Sequence, residues 1–232
     1  MNKALEPIID IKNLCKTYYS ANYPLDVLKG IDLTIYSEEI VAIVGESGCG
    51  KSTLLNLVGG LDKVTNGSII VKGKNIELLN EDELAVFRNQ FVGFVFQFHY
   101  LLPDFTALEN VMLPYLTKRF NKKEAREIAI NLLKEVNLEN RLDHRPSQLS
   151  GGEQQRIAIA RALINNPSIV FADEPTGNLD EKNSREVQKL LWDLRDNHNL
   201  TILLVTHNDD IANRADRKVK LAYGKIEENL KL

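Results

Sequence analysis

Cysteine is nearly absent: Cys15 and Cys49 are the only two in 232 residues. Two thiols cannot build a disulfide framework, so a hydrophobic core must hold the fold. Nor does one sign of charge dominate. The 29 Lys and Arg against 32 Asp and Glu leave a formal net charge of -3, without the basic excess that nucleic-acid binding draws on. Long apolar runs are missing as well. None approaches the ~18–20 residues that span a bilayer, and the start, Met1-Asn2-Lys3-Ala4-Leu5-Glu6-Pro7, lacks the apolar region of a signal peptide. These absences lead us to expect a cytoplasmic chain that serves a membrane only through a partner. There is no low-complexity segment and no internal repeat. At 44% hydrophobic and 26% charged residues, the composition suits a globular protein with a full core.

What is present is organised around residues 45–53, Gly45-Glu46-Ser47-Gly48-Cys49-Gly50-Lys51-Ser52-Thr53. This is G-x-x-x-x-G-K-[ST], a phosphate-cradling loop. Its glycines let the backbone curl toward a phosphate chain, with successive N–H groups aimed inward. Lys51 reaches the outer phosphates and the Ser52 hydroxyl can ligate Mg2+. The flanks are right: Ile40 to Val44 reads as a buried strand, and Thr53 to Val58 as a helix whose positive end faces the phosphates.

Two kinds of strand follow from the pattern. Residues 8–14, 27–35 and 67–73 alternate, as half-buried antiparallel strands do. Four other runs are continuously apolar, as in a parallel sheet covered on both faces. Each ends in a polar group: Val44 in the phosphate loop, Phe96 at Gln97, Ala172 at Asp173-Glu174, and Thr206 at His207. Ligands of open α/β sheets bind beyond the carboxyl ends of the strands, so these groups are expected to converge on one nucleotide. Asp173 is placed to hold Mg2+. Glu174 is placed to orient or deprotonate a water attacking the γ-phosphate. His207 is a γ-phosphate sensor, and Gln97 reaches Mg2+ or the attacking water. Residues 81–90 and 122–136 read as helices; in the second, Ala125, Ile128, Ala129, Leu132, Leu133 and Val136 form one apolar stripe.

A second motif is Leu149-Ser150-Gly151-Gly152-Glu153-Gln154-Gln155-Arg156. Ser150 reads as a helix N-cap with Glu153 at the capping-box position. A glycine-opened helix N-terminus with a hydroxyl is a second phosphate site. It has no lysine, so it suits a ligand already held elsewhere.

The phosphate loop, Gln97, LSGGEQQR, IVFADEP at 169–175, NLD at 178–180 and VTHN at 205–208 stand in the order seen in ATP-binding-cassette (ABC) ATPases. The chain closely resembles that family over nearly its whole length. The resemblance implies an α/β P-loop NTPase fold of the ABC-ATPase kind. It would have a mainly parallel core sheet, an N-terminal antiparallel β subdomain and a helical signature subdomain. All of 1–232 would form one ABC ATPase domain, with the helical part at approximately 98–160 inserted in a RecA-like core. ATP and Mg2+ are the implied cofactors, the metal held by Ser52, Gln97 and Asp173, with Glu174, His207 and Gln97 in the catalytic roles. Two copies would face each other head to tail, so that Ser150, Gly151, Gly152 and Glu153 act in trans on the partner's nucleotide. Tyr18 matches the aromatic that stacks on adenine, with Tyr19 a neighbouring candidate.

Within the family, residues 174–180 are similar to the branch of lipoprotein-release, macrolide- and peptide-export, and cell-division cassettes. Residues 97–111, with Asn13-Leu14-Cys15-Lys16, Gly59-Gly60-Leu61-Asp62 and His144-Arg145-Pro146, look most like the lipoprotein-releasing ATPases. Tyr100 and the stretch Leu113-Pro114-Tyr115 depart from that pattern. The implied partners are integral membrane subunits (LolC/LolE-like permeases) and a second copy of the chain, with no nucleic acid. The implied place is the cytoplasmic face of the inner membrane, peripherally. The same branch holds MacB-like peptide or macrolide exporters and FtsE-like cell-division regulators as rival readings. Leu101, Leu102, Pro103 and Phe105 are the expected partner-facing loop.

Overall fold

The computed structural model describes residues 7–20 and 23–231. They form two compact units, one from the described residues up to 88 with those from 201 onward and the other from 89–200. In chain order the first unit carries β1 (Pro7–Ser20), β2 (Tyr23–Tyr36), β3 (Ile40–Val44), α1 (Lys51–Val58), β4 (Asn66–Val71), β5 (Lys74–Asn75) and α2 (Glu81–Phe91), which leads into the second. The second unit carries β6 (Val92–Phe96), α3 (Ala107–Leu116), α4 (Lys122–Glu135), α5 (Gly151–Leu163), β7 (Ile169–Asp173) and α6 (Glu181–His198). The chain then returns to the first unit with β8 (Thr201–Val205), α7 (Asp209–Ala212), β9 (Arg217–Ala222) and β10 (Lys225–Lys231).

The first unit has two sheets. One is antiparallel, in the order β2-β1-β4-β5. Its inward faces meet in register, Ile9 opposite Ile35, Ile11 opposite Leu33 and Leu14 opposite Ile31, and all but Leu33 of these are wholly buried. The register shifts between Ile11 and Leu14, where Asn13 takes a left-handed φ of 45°. Such a bulge changes which side chains face inward. Ile9 and Ile11 face the core before it; Leu14 and Lys16 do so after it. In the other sheet, β3 lies parallel to both β8 and β9, and β10 closes the edge antiparallel to β9. Every residue of β3 and β8 is buried, the double-sided burial their apolar runs predicted.

The second unit holds the parallel pair β6 and β7, with Phe96 opposite Asp173. Helix α4 buries Ala125, Ala129, Leu132 and Leu133, as the spacing required. Helix α3 supplies a feature that periodicity concealed. Its Asn110 is wholly buried. The Oδ1 accepts from the Leu102 amide at 2.8 Å, and the Nδ2 donates to the carbonyls of Leu102, Phe105 and Thr106 at 3.0–3.1 Å. One side chain therefore satisfies the backbone of the loop ahead of the helix, where no ladder is available. Asn110→Leu should strand those groups and cost about 3 kcal/mol, since each buried unsatisfied group costs roughly 1–3. Urea unfolding would register the loss, and limited proteolysis should then cut within 101–105. An unchanged midpoint would show that water replaces the amide.

Candidate functional site

The phosphate loop is built by close approach. At Gly45, φ is 155° and a Cβ would lie 2.1 Å from the Leu221 carbonyl oxygen; no side chain fits. Gly50, at φ 106°, is the N-cap residue of α1, and no described side chain caps that helix or places a carboxylate in its first turn. This sets α1 apart. Thr106, Ser150 and Asp180 cap α3, α5 and α6 with side-chain oxygens. An uncapped N-terminus keeps its orphan N–H groups and partial positive charge for an anion. The Lys51 ammonium donates to the carbonyls of Gly45 and Glu46, each at 2.9 Å. It thus holds the loop closed and stands at its centre, only 9% exposed. Glycine cradle, bare helix end and centred cation fit a phosphate chain.

The first unit also brings His207 to this edge. Ile43 pairs with Val205, so Gly45 and His207 each lie two residues beyond the same pair. His207 is exposed. Behind it Thr206 is buried, its amide donating to Ile43 O at 3.1 Å and its Oγ1 accepting from the Asn208 amide at 3.0 Å.

In the second unit the same logic joins Gln97 to Glu174, each one residue beyond the Phe96–Asp173 pair. Gln97 Nε2 donates to Asn178 Oδ1 at 3.0 Å, and Asn178 Nδ2 donates back to Gln97 O at 3.1 Å. Gln97 Oε1 stays out of that exchange, an acceptor of the kind Mg2+ takes. Gly177 permits the pairing, since a Cβ there would come 2.9 Å from Gln97 Nε2. Glu174 has a left-handed φ of 46°, and its carbonyl accepts from the Gly177 amide at 3.0 Å. A non-glycine residue in that region costs of order 1–3 kcal/mol and persists where the surroundings enforce it.

The Ser150–Glu153 capping box forms as the sequence predicts. Arg141 adds an ion pair to Glu153 at 2.9 Å. The Ser150 amide and Arg141 hold the Glu153 carboxyl down at about 2. Gly152 has a further reason to be glycine: a Cβ would lie 2.3 Å from Asn183 Oδ1 on α6. Gly151 and Ser150 remain exposed.

The structure separates Tyr18 from Tyr19. Tyr18 is 40% exposed and Tyr19 79%, and only Tyr18 joins a network that sequence reading missed. Its hydroxyl donates to Asp62 Oδ2 at 2.7 Å. Asp62 Oδ1 accepts from Lys16 Nζ at 2.8 Å and from the Lys63 amide at 2.7 Å. Burial and the Asp62 bond push the Tyr18 hydroxyl up. Burial alone would raise Asp62, but the bonds from Lys16, Tyr18 and Lys63 hold it below its ordinary value. The partners lie some forty residues apart in the chain, beyond any local pattern.

The ABC transporter family model matches residues 28–177. The chain belongs to that family. Lipoprotein-releasing system ATP-binding proteins LolD are similar to it over nearly their whole lengths. The one from Cytophaga hutchinsonii is 50% identical over 96% of this chain and 100% of its own. The one from Treponema denticola is 50% identical over 95% and 98%. Among solved structures, a dimeric ATP-binding cassette in a post-hydrolysis state with ADP and Pi superposes with a TM-score of 0.89, at 42% identity, over 97% of this chain and 98% of that one. The expected α/β cassette fold therefore holds, and the chain is an ATP-hydrolysing ABC transporter subunit. Among the described residues no helix is long and apolar enough to cross a membrane.

Proposed function

We propose that the chain powers the release of lipoproteins from the inner membrane, sitting peripherally on the cytoplasmic face beneath integral LolC/LolE-like permeases. The observation that carries this reading is the half-identical, near-full-length similarity to LolD proteins. One ATP would draw on residues 45–53 and His207, with Gln97, Asp173 and Glu174 at the γ-phosphate and Tyr18 against the base. Mg2+ would be held by Ser52, Gln97 and Asp173, where it would offset the charge of the phosphates. Among the described residues no cluster of three or more His, Cys, Asp or Glu could hold a metal. That agrees with an ion held by one carboxylate and the phosphates themselves rather than by a protein cage.

Glu174 would take the proton of, or orient, the attacking water, and His207 would bond the γ-phosphate. A second copy would contribute Ser150, Gly151, Gly152 and Glu153; the exposure of Ser150 and Gly151 supports that approach. ATP would close the two copies and hydrolysis would release them, and the permeases would turn closure into work on the lipoprotein.

The loop 101–105 supports the partner assignment. Leu102 and Phe105 are 44% and 37% exposed, although Asn110 fixes the backbone beneath them. A fixed backbone presenting apolar side chains suits a protein partner. Leu102→Glu should keep basal ATPase activity within about twofold, as surface changes do, yet abolish co-purification with the membrane subunits. The test of function is reconstitution: the chain with its co-purified permeases in proteoliposomes should release a lipoprotein to a soluble acceptor only with ATP. Co-purification with a peptide exporter or a division protein instead would overturn the reading.

A further inference from the structure

The phosphate cradle is rigid by construction, whereas the base platform is one tyrosine on a strand. A tyrosine side chain has two rotors, and freezing them at binding would cost affinity. The structure fixes them beforehand. Past the register shifts of β1, Lys16 and Tyr18 lie on the same side, in contact with each other, and Lys16 is only 7% exposed. A buried ammonium is tolerated only when paired, and this one is paired twice, to Asp62 Oδ1 at 2.8 Å and to the Lys63 carbonyl at 2.6 Å. The same ammonium lies 4.6 Å from the centroid of the Tyr18 ring. That is cation–π distance, so one face of the ring is covered.

The anchor lies at the other end of the cradle's own helix. Asp62 follows the α1 C-terminus, where the Leu61 amide turns back to Asn56 O at 2.8 Å. Helix α1 begins at Lys51. The phenol is therefore tied to the same rigid piece that presents its N-terminus to the phosphates.

We infer that Asp62 and Lys16 are positioning residues for the nucleobase, fixing Tyr18 as a one-sided stacking platform at a set distance from the phosphate cradle. This rests on the reading of Tyr18 as the adenine-stacking residue. The tyrosine hydroxyl, which a pure stacking role would not need, is the handle by which the platform is held.

The test is equilibrium binding of Mg-ATP and of inorganic triphosphate, which has no base, to the full-length chain. Tyr18→Ala should weaken ATP binding about 10- to 100-fold, the usual worth of a base–aromatic stack. Tyr18→Phe removes one oxygen and leaves the ring; it should weaken ATP binding about 3- to 10-fold, the worth of one hydrogen bond. Asp62→Ala cuts that bond together with those from Lys16 and Lys63, so it should weaken ATP binding at least as much, and the double variant should be no weaker than Asp62→Ala alone, since the phenol bond is already gone. Asp62→Asn, whose amide oxygen can stay with Lys16 and Lys63 while its amino group donates to the phenol oxygen, should recover part of the loss. Triphosphate binding should be the same in all of them, and KM should rise with kcat unchanged. Wild-type ATP affinity in Tyr18→Phe would overturn the proposal while leaving Tyr18 as the platform. Parallel loss of triphosphate binding in Asp62→Ala would also overturn it, placing Asp62 with the cradle. Wild-type ATP affinity in Tyr18→Ala would overturn the stacking reading itself.

Discussion

Glu174→Gln will bind Mg-ATP about as well as the parent chain and turn it over about 100- to 10,000-fold more slowly, the range that a positioned general base contributes. The substitution keeps the side chain's shape and exchanges one oxygen for an amide. The left-handed φ of 46° at this residue fixes where the side chain starts, just beyond the strand end, and glutamine takes that backbone no worse than glutamate does. Binding groups in the phosphate loop are untouched. What would disappear is the group proposed to take or orient the proton of the attacking water. Because closure of two copies would need ATP and reopening would need hydrolysis, the variant should also collect as an ATP-bound dimer, seen as a shift on gel filtration when ATP is added. Phosphate release at the parent rate would remove Glu174 from the chemistry.

Much of this site could be read before any coordinates, because it is written locally. The phosphate loop is a backbone shape, and backbone shape is set by glycine spacing within nine residues. The four strands that end at Val44, Phe96, Asp173 and Val205 announced themselves by continuous apolar runs, since burial on both faces leaves no room for polar alternation. Helix α4 declared its stripe. The features that escaped notice share a different cause. Strand β10 is exposed along nearly all of its length and so carries no hydrophobic period; only its pairing with β9 makes it a strand. Asn110 looks like an ordinary polar helix residue, and its role depends on four backbone groups that the fold brings under it. The Lys16–Asp62–Tyr18 network joins residues of β1 to the turn after α1. Whether Tyr18 or Tyr19 faces that turn depends on the register shifts of β1 between Ile11 and Thr17, which alternation alone cannot place. The strain at Glu174 leaves no mark in residue type, because it stands where glycine would be the easy choice.

Lys51→Ala should do the opposite of Glu174→Gln: binding itself should fail. Removing one partner from a buried charge contact costs about 2–5 kcal/mol, so Mg-ATP affinity should fall about 30- to 5000-fold. Two losses combine. The charge proposed to face the outer phosphates goes, and so do the two bonds by which the ammonium holds the carbonyls of Gly45 and Glu46 in the closed loop. Inorganic triphosphate should lose affinity as much as ATP does, which separates this site from the base platform at Tyr18. Arginine at 51 keeps the charge, but its planar fork is wider than an ammonium and is not interchangeable with it; only partial recovery is expected. The thermal unfolding midpoint of nucleotide-free Lys51→Ala should fall by only a few degrees, because the lost bonds are confined to the loop carbonyls of Gly45 and Glu46 and the Val44 strand end remains paired. Triphosphate and ATP binding equal to the parent's would show that the loop amides and the bare N-terminus of α1 suffice for phosphate, and that Lys51 serves only to close the loop.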